Sequence, residues 1–468
     1  MVSSSLRAHF LTLVLSAGVA LAAQTVAPRP PMSAQAPQPT PPLPDRPLWF
    51  LEDTDPSAHF ALDADAVYQR WGVSVRSREL ANGKVGWMVE GGFPFKALDG
   101  RVFALDKPSQ LNPVVPPMFL GGVPANKDRA AELSCLDART GQTFWKALIP
   151  TEQPIAVGVG GVAMIQSGLK APVVTEDEVL VGTFGGSLFK GRTGKLYAFS
   201  KTDGKPLWSF EAEDGLEQPP LIYKNLALLG GVAACYGVDL KTGKQVWKAE
   251  TRSDNQWTFT LAGDTLLMAS GHYGAQKSMF GGTLYAFHAE DGRLLWKYDI
   301  GGPSLLRVAD GRVLGIEWGS FGGTRLSCLD LASGKRMWEF KAKGSAWPQV
   351  VDGKVVYLDR DNQIHLLDLA TGQETATLHA AGDFQMGFFK GPWGRFMDPV
   401  VLGGYAVVGS WDKGRKETVL EVLDVQRGKV AQTLRVAGVL EDQAYRNGHL
   451  VELIRKEDGT HRLEVLGH

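Results

Sequence analysis

An all-β fold assembled from copies of one four-stranded unit is what this sequence predicts, on three observations. First, a short stretch such as LYAFSKTDGKPLW, 196–208, recurs eight times along the 468-residue chain. Six copies place a glycine four residues before a tryptophan: Gly83 with Trp87, Gly141 with Trp145, Gly204 with Trp208, Gly243 with Trp247, Gly292 with Trp296 and Gly334 with Trp338. Two keep the frame without the tryptophan, Gly372 with Ala376 and Gly428 with Gln432. Second, the glycines recur 38 to 63 residues apart, a spacing that suits a four-stranded blade better than a helical repeat. Third, short β-branched and aromatic runs alternate with glycine-rich turns, 55 glycines in all, and no helical periodicity is sustained. Ring closure of such units gives a β-propeller of four-stranded antiparallel blades, eight by this count, or seven if one copy is not a full sheet.

The chain opens with a targeting pattern over 1–22: a lone Arg7, an apolar core and Ala20-Leu21-Ala22 as a small-residue cleavage site. The core is too short to span a bilayer, and no cysteine follows it to carry a lipid. An exported chain, periplasmic or extracellular and not lipid-anchored, is expected. Residues 23–48 form a proline-rich spacer with no hydrophobic pattern, and 49–468 the propeller. A short helix over 63–71 is expected before the first strand, and the C-terminal strands are expected to complete a blade with the strand around Trp87.

Each motif copy reads as a strand, a tight turn in which glycine takes positive φ, and a second strand carrying the tryptophan. The tryptophan is read as a docking group laid over the neighbouring sheet. Cys135, Cys235 and Cys328 all precede the glycine turn and are expected to be small core residues rather than a disulfide framework.

Within a blade, the first-to-second and third-to-fourth turns share one rim; the other connections share the opposite rim. The former are tight throughout, as in LDGR at 98 and ADGR at 309. The long insertions all belong to the latter: 107–131, 183–193, 271–281, 319–323 and 410–416 inside blades, 149–170 and 380–396 between them. Loops on a rigid scaffold carry binding. The aromatics and arginine placed there, Trp257, Trp318, Phe321, Trp347, Phe389, Trp393 and Arg395, are the candidate interaction face, with packing of the central channel as the alternative role.

Chemistry is sparse. Every Gly-Lys pair is followed by a residue other than Ser or Thr, so there is no phosphate loop; there is no Gly-x-Ser-x-Gly elbow, and the nine histidines form no His-Glu-x-x-His. His272, in a long loop, is the one histidine-bearing site candidate, with Tyr273 beside it. The stretch from Asp359 to Asn362 reads as an Asp/Asn-stabilised turn, with calcium binding as the alternative. With 49 basic against 50 acidic side chains, nothing marks a nucleic-acid or anionic-membrane footprint.

The repeated Asp-x-x-[Thr/Ser]-Gly-[Lys/Gln]-x-x-Trp resembles the PQQ-like, quinoprotein-type propeller repeat, from about Trp71 to the end. The resemblance implies tryptophan docking and two functional classes. Quinoprotein dehydrogenases oxidise alcohols or sugars with PQQ and calcium; BamB-like propellers are non-enzymatic scaffolds of outer-membrane protein assembly. The dehydrogenases carry adjacent cysteines over the quinone, and no two cysteines are adjacent here; no Cys-x-x-Cys-His haem attachment is present. No catalytic, cofactor or metal residue is assigned. The expectation is a monomeric, non-catalytic scaffold binding envelope or outer-membrane proteins, with a PQQ-binding quinoprotein, dehydrogenase or sensor, as the alternative.

Overall fold

The computed structural model describes residues 43–53 and 60–467, apart from 45, 64, 72–73, 91–94, 107–130, 151–157, 160–161, 164–167, 170, 188–190, 217, 232, 252–254, 272–281, 301–305, 319–323, 342–347, 360 and 383–398. The residues read as a targeting segment, and most of the spacer, lie outside these.

The repeats become sheets for local reasons. Where a blade's first strand turns into its second, Asp-Gly or Asn-Gly occupies the two turn positions with φ positive at both: Asp99 and Gly100, Asp310 and Gly311, Asp352 and Gly353, Asn447 and Gly448. That is the mirror-image turn whose twist matches paired strands. Strand pairing within the sheets is antiparallel, and each blade runs in simple sequence order save two: the third, whose second strand pairs with two short inner pieces, and the one that closes the ring. Blades 1 to 8 span 60–90, 95–149, 168–212, 221–250, 255–300, 306–341, 349–379 and 400–437.

The described residues form nine blades, not eight or seven. All eight motif copies complete blades of their own. Beyond them, Val439–Arg446, His449–Arg455 and His461–Leu466 form three strands of a ninth, whose outer strand is Trp49–Asp53 from the other end of the chain. Trp49 lies opposite Val465 and Leu51 opposite Leu463. The closing strand is therefore not the one around Trp87, which is the outer strand of blade 1. The expected helix over 63–71 is also corrected: Ala66–Trp71 is a strand, paired on both sides. Its alternating side chains send Val67 and Tyr68 to opposite sheet faces, into different inter-blade cores.

Nine apolar clusters, one per joint, carry the core around the ring and back to its start. Leu43, inside the stretch that the sequence reads as spacer, is buried at the joint of blades 8 and 9. All three cysteines are buried free thiols.

Candidate functional site

The repeat motif is consumed by structure, residue by residue. Asp137 Oδ1 accepts from Thr140 N at 2.6 Å and Oγ1 at 2.8 Å. Asp239 with Thr242, Asp330 with Ser333 and Asp368 with Thr371 repeat the arrangement. The side-chain hydroxyl bond, aided by the backbone N–H, holds all four carboxyls below their ordinary range.

The glycine then presents a bare backbone on which the preceding blade's tryptophan lies. Trp87 covers Gly141, Trp145 covers Gly204, Trp208 covers Gly243, Trp247 covers Gly292, Trp296 covers Gly334 and Trp338 covers Gly372. The indole N–H reaches the carbonyl three residues before that glycine: Trp87 to Ala138 at 2.8 Å, Trp145 to Lys201 at 3.1 Å, Trp208 to Leu240 at 2.5 Å, Trp296 to Leu331 at 2.9 Å and Trp338 to Leu369 at 3.0 Å. Trp247 lies on its glycine without that bond. A seventh docking tryptophan, Trp49, covers Gly83 and donates to Leu80 at 2.8 Å. It escapes the motif because its strand comes from the chain's start, with no glycine turn before it.

With the motif tryptophans assigned to joints, the candidate surfaces left are the rims. Connections 107–130, 272–281 and 319–323 within blades, and 150–167 and 380–399 between them, leave and rejoin strands at one rim. The opposite rim holds only turns of two to five residues. Two expected insertions are shorter than the sequence implied. Glu178–Ser187 with Gly191–Ser200, and Tyr405–Asp412 with Glu417–Asp424, extend as paired strands through most of 183–193 and through 410–412 of the second. Of the candidate face, Trp257 lies on the inner strand Asn255–Ala262 of blade 5, at a register shift, and Trp318 ends Arg312–Trp318 of blade 6, both toward the elaborated rim. Phe321, Trp347, Phe389, Trp393 and Arg395 lie outside the described residues, as do His272 and Tyr273.

At the same rim the structure adds a polar cluster across blades 7 and 8 that no motif announces. His365 sits between two carboxylates, Nε2 at 3.2 Å from Asp359 Oδ2 and Nδ1 at 2.6 Å from Glu374 Oε1. Burial opposes ionisation of Glu374, but the bonds from His365 and Thr377 outweigh it and lower its pKa. Asp359 also caps its own turn, accepting from Asp361 N at 2.8 Å and Gln363 N at 2.9 Å. That is the Asp/Asn-stabilised turn read from sequence. Beyond it, Glu421 Oε2 accepts from Ala381 N at 3.0 Å and Ser410 Oγ accepts from Gly382 N at 3.1 Å, anchoring the start of the 380–399 connection. These groups orient loops; they juxtapose no nucleophile with a free base. Their only sequence signal is a scatter of polar residues on strands otherwise apolar. Among the described residues, no three His, Cys, Asp or Glu side chains are grouped to hold a metal ion, and no helix is long and apolar enough to cross a membrane.

Fold and joints together define a tryptophan-docked β-propeller. The chain belongs to the PQQ-like family described as outer membrane protein assembly factor BamB, whose profile matches residues 129–378 and, overlapping these, 281–435. Tetrathionate hydrolase of Acidithiobacillus ferrooxidans is 29% identical over 117 residues, 25% of this chain and 22% of that protein. Quinohemoprotein alcohol dehydrogenase of Pseudomonas putida is 23% identical over 214 residues, 39% of this chain and 28% of that protein. The chain thus spans about a quarter of the length of either curated relative. Among solved structures, BamB from Moraxella catarrhalis is 14% identical with a TM-score of 0.46, covering 90% of this chain and 99% of that one. A europium-containing methanol dehydrogenase is 13% identical with a TM-score of 0.43, covering 78% and 85%.

Proposed function

We propose that this chain is an exported, non-catalytic propeller scaffold whose elaborated rim binds proteins of the bacterial envelope, in the manner of outer-membrane protein assembly. The observation that carries this is the one-sidedness of the connections. One rim is closed by turns of two to five residues, while every longer connection leaves from the other. Family membership supports the envelope as the setting. The acidic residues of the repeat add support, because their side chains are committed to their own turns.

The test places a photo-cross-linking residue at Asp361 or Lys413 on the elaborated rim, and at Asp310 or Asp352 on the plain one. Cross-links to envelope proteins are expected from the first pair alone. Equal labelling from both rims contradicts the proposal. Titration with PQQ, with and without calcium, separates the quinone-binding alternative: a flat thermal midpoint is expected, and a saturable rise by mass action favours the alternative.

A further inference from the structure

The nine joints are not alike, and one of them combines three departures. At most joints a tryptophan covers the next blade's glycine. At the joint of blades 8 and 9 the corresponding position is Gln432, and blade 9 has no glycine turn to receive it, because its outer strand arrives from the other end of the chain. Gln432 Nε2 instead donates to the backbone oxygen of Leu43 at 2.6 Å. A strap just ahead of the closing strand thus takes the place of the docking turn.

The third departure is electrostatic. Glu452 and Glu464 face each other across neighbouring strands of blade 9. Glu452 is fully buried and Glu464 is 4% exposed. Strand alternation places Glu452 between Leu450 and Ile454, on the face packed against blade 8. Among the described residues, no N–H or O–H donor reaches either oxygen of Glu452.

The other polar groups around the pair are few. Within blade 9, Gln443 lies opposite Glu452 on the inner strand, and Arg462 pairs with Glu464 at 2.9 Å. Glu52 of the closing strand lies beyond Arg462 at 3.9 Å. Blade 8 presents Leu420, Val422 and Leu434, with Gln432, Tyr405 and Thr418 as its polar groups there, the Thr418 hydroxyl donating to Gly438 O at 2.7 Å and accepting from Leu440 N at 3.0 Å. Asp424, at the end of that row, is committed to Arg427 at 2.8 Å. One cation therefore serves two buried carboxyls. Burial raises both, Glu452 the more because Arg462 acts on Glu464.

We infer that the joint between blades 8 and 9 is a proton-dependent latch, held shut by one proton on the Glu452–Glu464 pair and the first joint of the ring to open as that proton leaves. Both folded-state pKa values lie above the unfolded one, so the stability they contribute is fully present below about pH 4.3 and is lost as pH rises. The latch tightens in acid and loosens toward alkaline pH.

The test compares thermal midpoints of the full chain and Glu452→Gln from pH 5 to pH 8. Gln keeps the shape without a titrating proton. The wild type is expected to lose about 3–5 °C relative to the variant across that range. Parallel curves overturn the inference. Limited trypsinolysis at pH 8 locates the opening. Early cleavage after Arg455 or Arg462, suppressed in Glu452→Gln, is expected; first cleavage inside blades 3 to 6 in both proteins overturns it. Glu452→Leu keeps the test decisive if Glu452→Gln does not fold, since it removes the same titrating carboxyl and matches its apolar neighbours Leu450 and Ile454.

Discussion

The tryptophan–glycine contact is the smallest unit that explains the molecule. At Gly334 an added Cβ would lie 2.4 Å from the Trp296 ring, and φ there is +67°. At Gly311 φ is similar, +70°, yet nothing lies within 4 Å. The two positions separate backbone strain from docking. Gly311→Ala is expected to cost about 1–2 kcal/mol, the left-handed penalty alone. Gly334→Ala should cost clearly more, by urea denaturation, because the indole must also leave. Equal losses contradict docking. Trp296→Ala is expected to cost about 3–5 kcal/mol. The motif aspartates carry a pH signature of opposite sign to the latch. Their pKa values are depressed, so their contribution is present above about pH 3.9 and lost as pH falls. The midpoint gap between wild type and Asp330→Asn should therefore close on acidification below pH 4; a gap that persists at pH 2 counts against the carboxylate–hydroxyl turn. These residues were legible in the sequence because each acts locally and repeats. Trp49 was not, because its partner strand is some four hundred residues away.

At the scale of the blade, the third and outer strands compensate each other in volume. Opposite the six motif tryptophans stand small residues: Ser77, Cys135, Ala198, Gly237, Ala286 and Cys328. Where the tryptophan is replaced by Ala376, the facing residue becomes Leu366, whose Cδ1 would lie 3.7 Å from a Cβ added at Gly428. Leu366 fills the space the indole leaves. This accounts for Cys135 and Cys328, which the sequence marked only as core: they are small enough to sit beneath a tryptophan. Ala376→Trp alone is expected to destabilise by overpacking, by about 1–3 kcal/mol. With Leu366→Ala the pair should recover wild-type stability or exceed it. Additive losses in that double-mutant cycle contradict the compensation. Strand boundaries proved less legible than strand identity. Residues 63–71 mix polar and apolar groups at spacings that fit a helix locally, and only pairing with strands on both sides makes them extended.

For the whole molecule, the repeat count gave the architecture and missed the closure. Eight motif glycine turns were visible, and the ninth blade has none between its third and outer strands, so counting those turns undercounts sheets by one. The elaborated rim was legible as a pattern of loop lengths. The polar cluster around His365 was not, since its members are brought together by strand register and not by spacing. If that rim binds envelope partners, changing Trp393 and Arg395 together to alanine should abolish the cross-links from Asp361 and leave the thermal midpoint within about 1–2 °C. Retained cross-links would remove those two residues from the interface.

The nine-bladed ring rests on pairing of Trp49–Asp53 with His461–Leu466. Leu51 and Leu463 stand directly opposite across that ladder, at a separation that suits a disulfide, and the native thiols are buried. The most direct measurement is oxidation of the Leu51→Cys, Leu463→Cys variant, followed by non-reducing electrophoresis and thermal melting. An intramolecular cross-link that raises the midpoint is the predicted result. No cross-link, or one that forms only between two chains, contradicts closure of the ring by its own N-terminal strand.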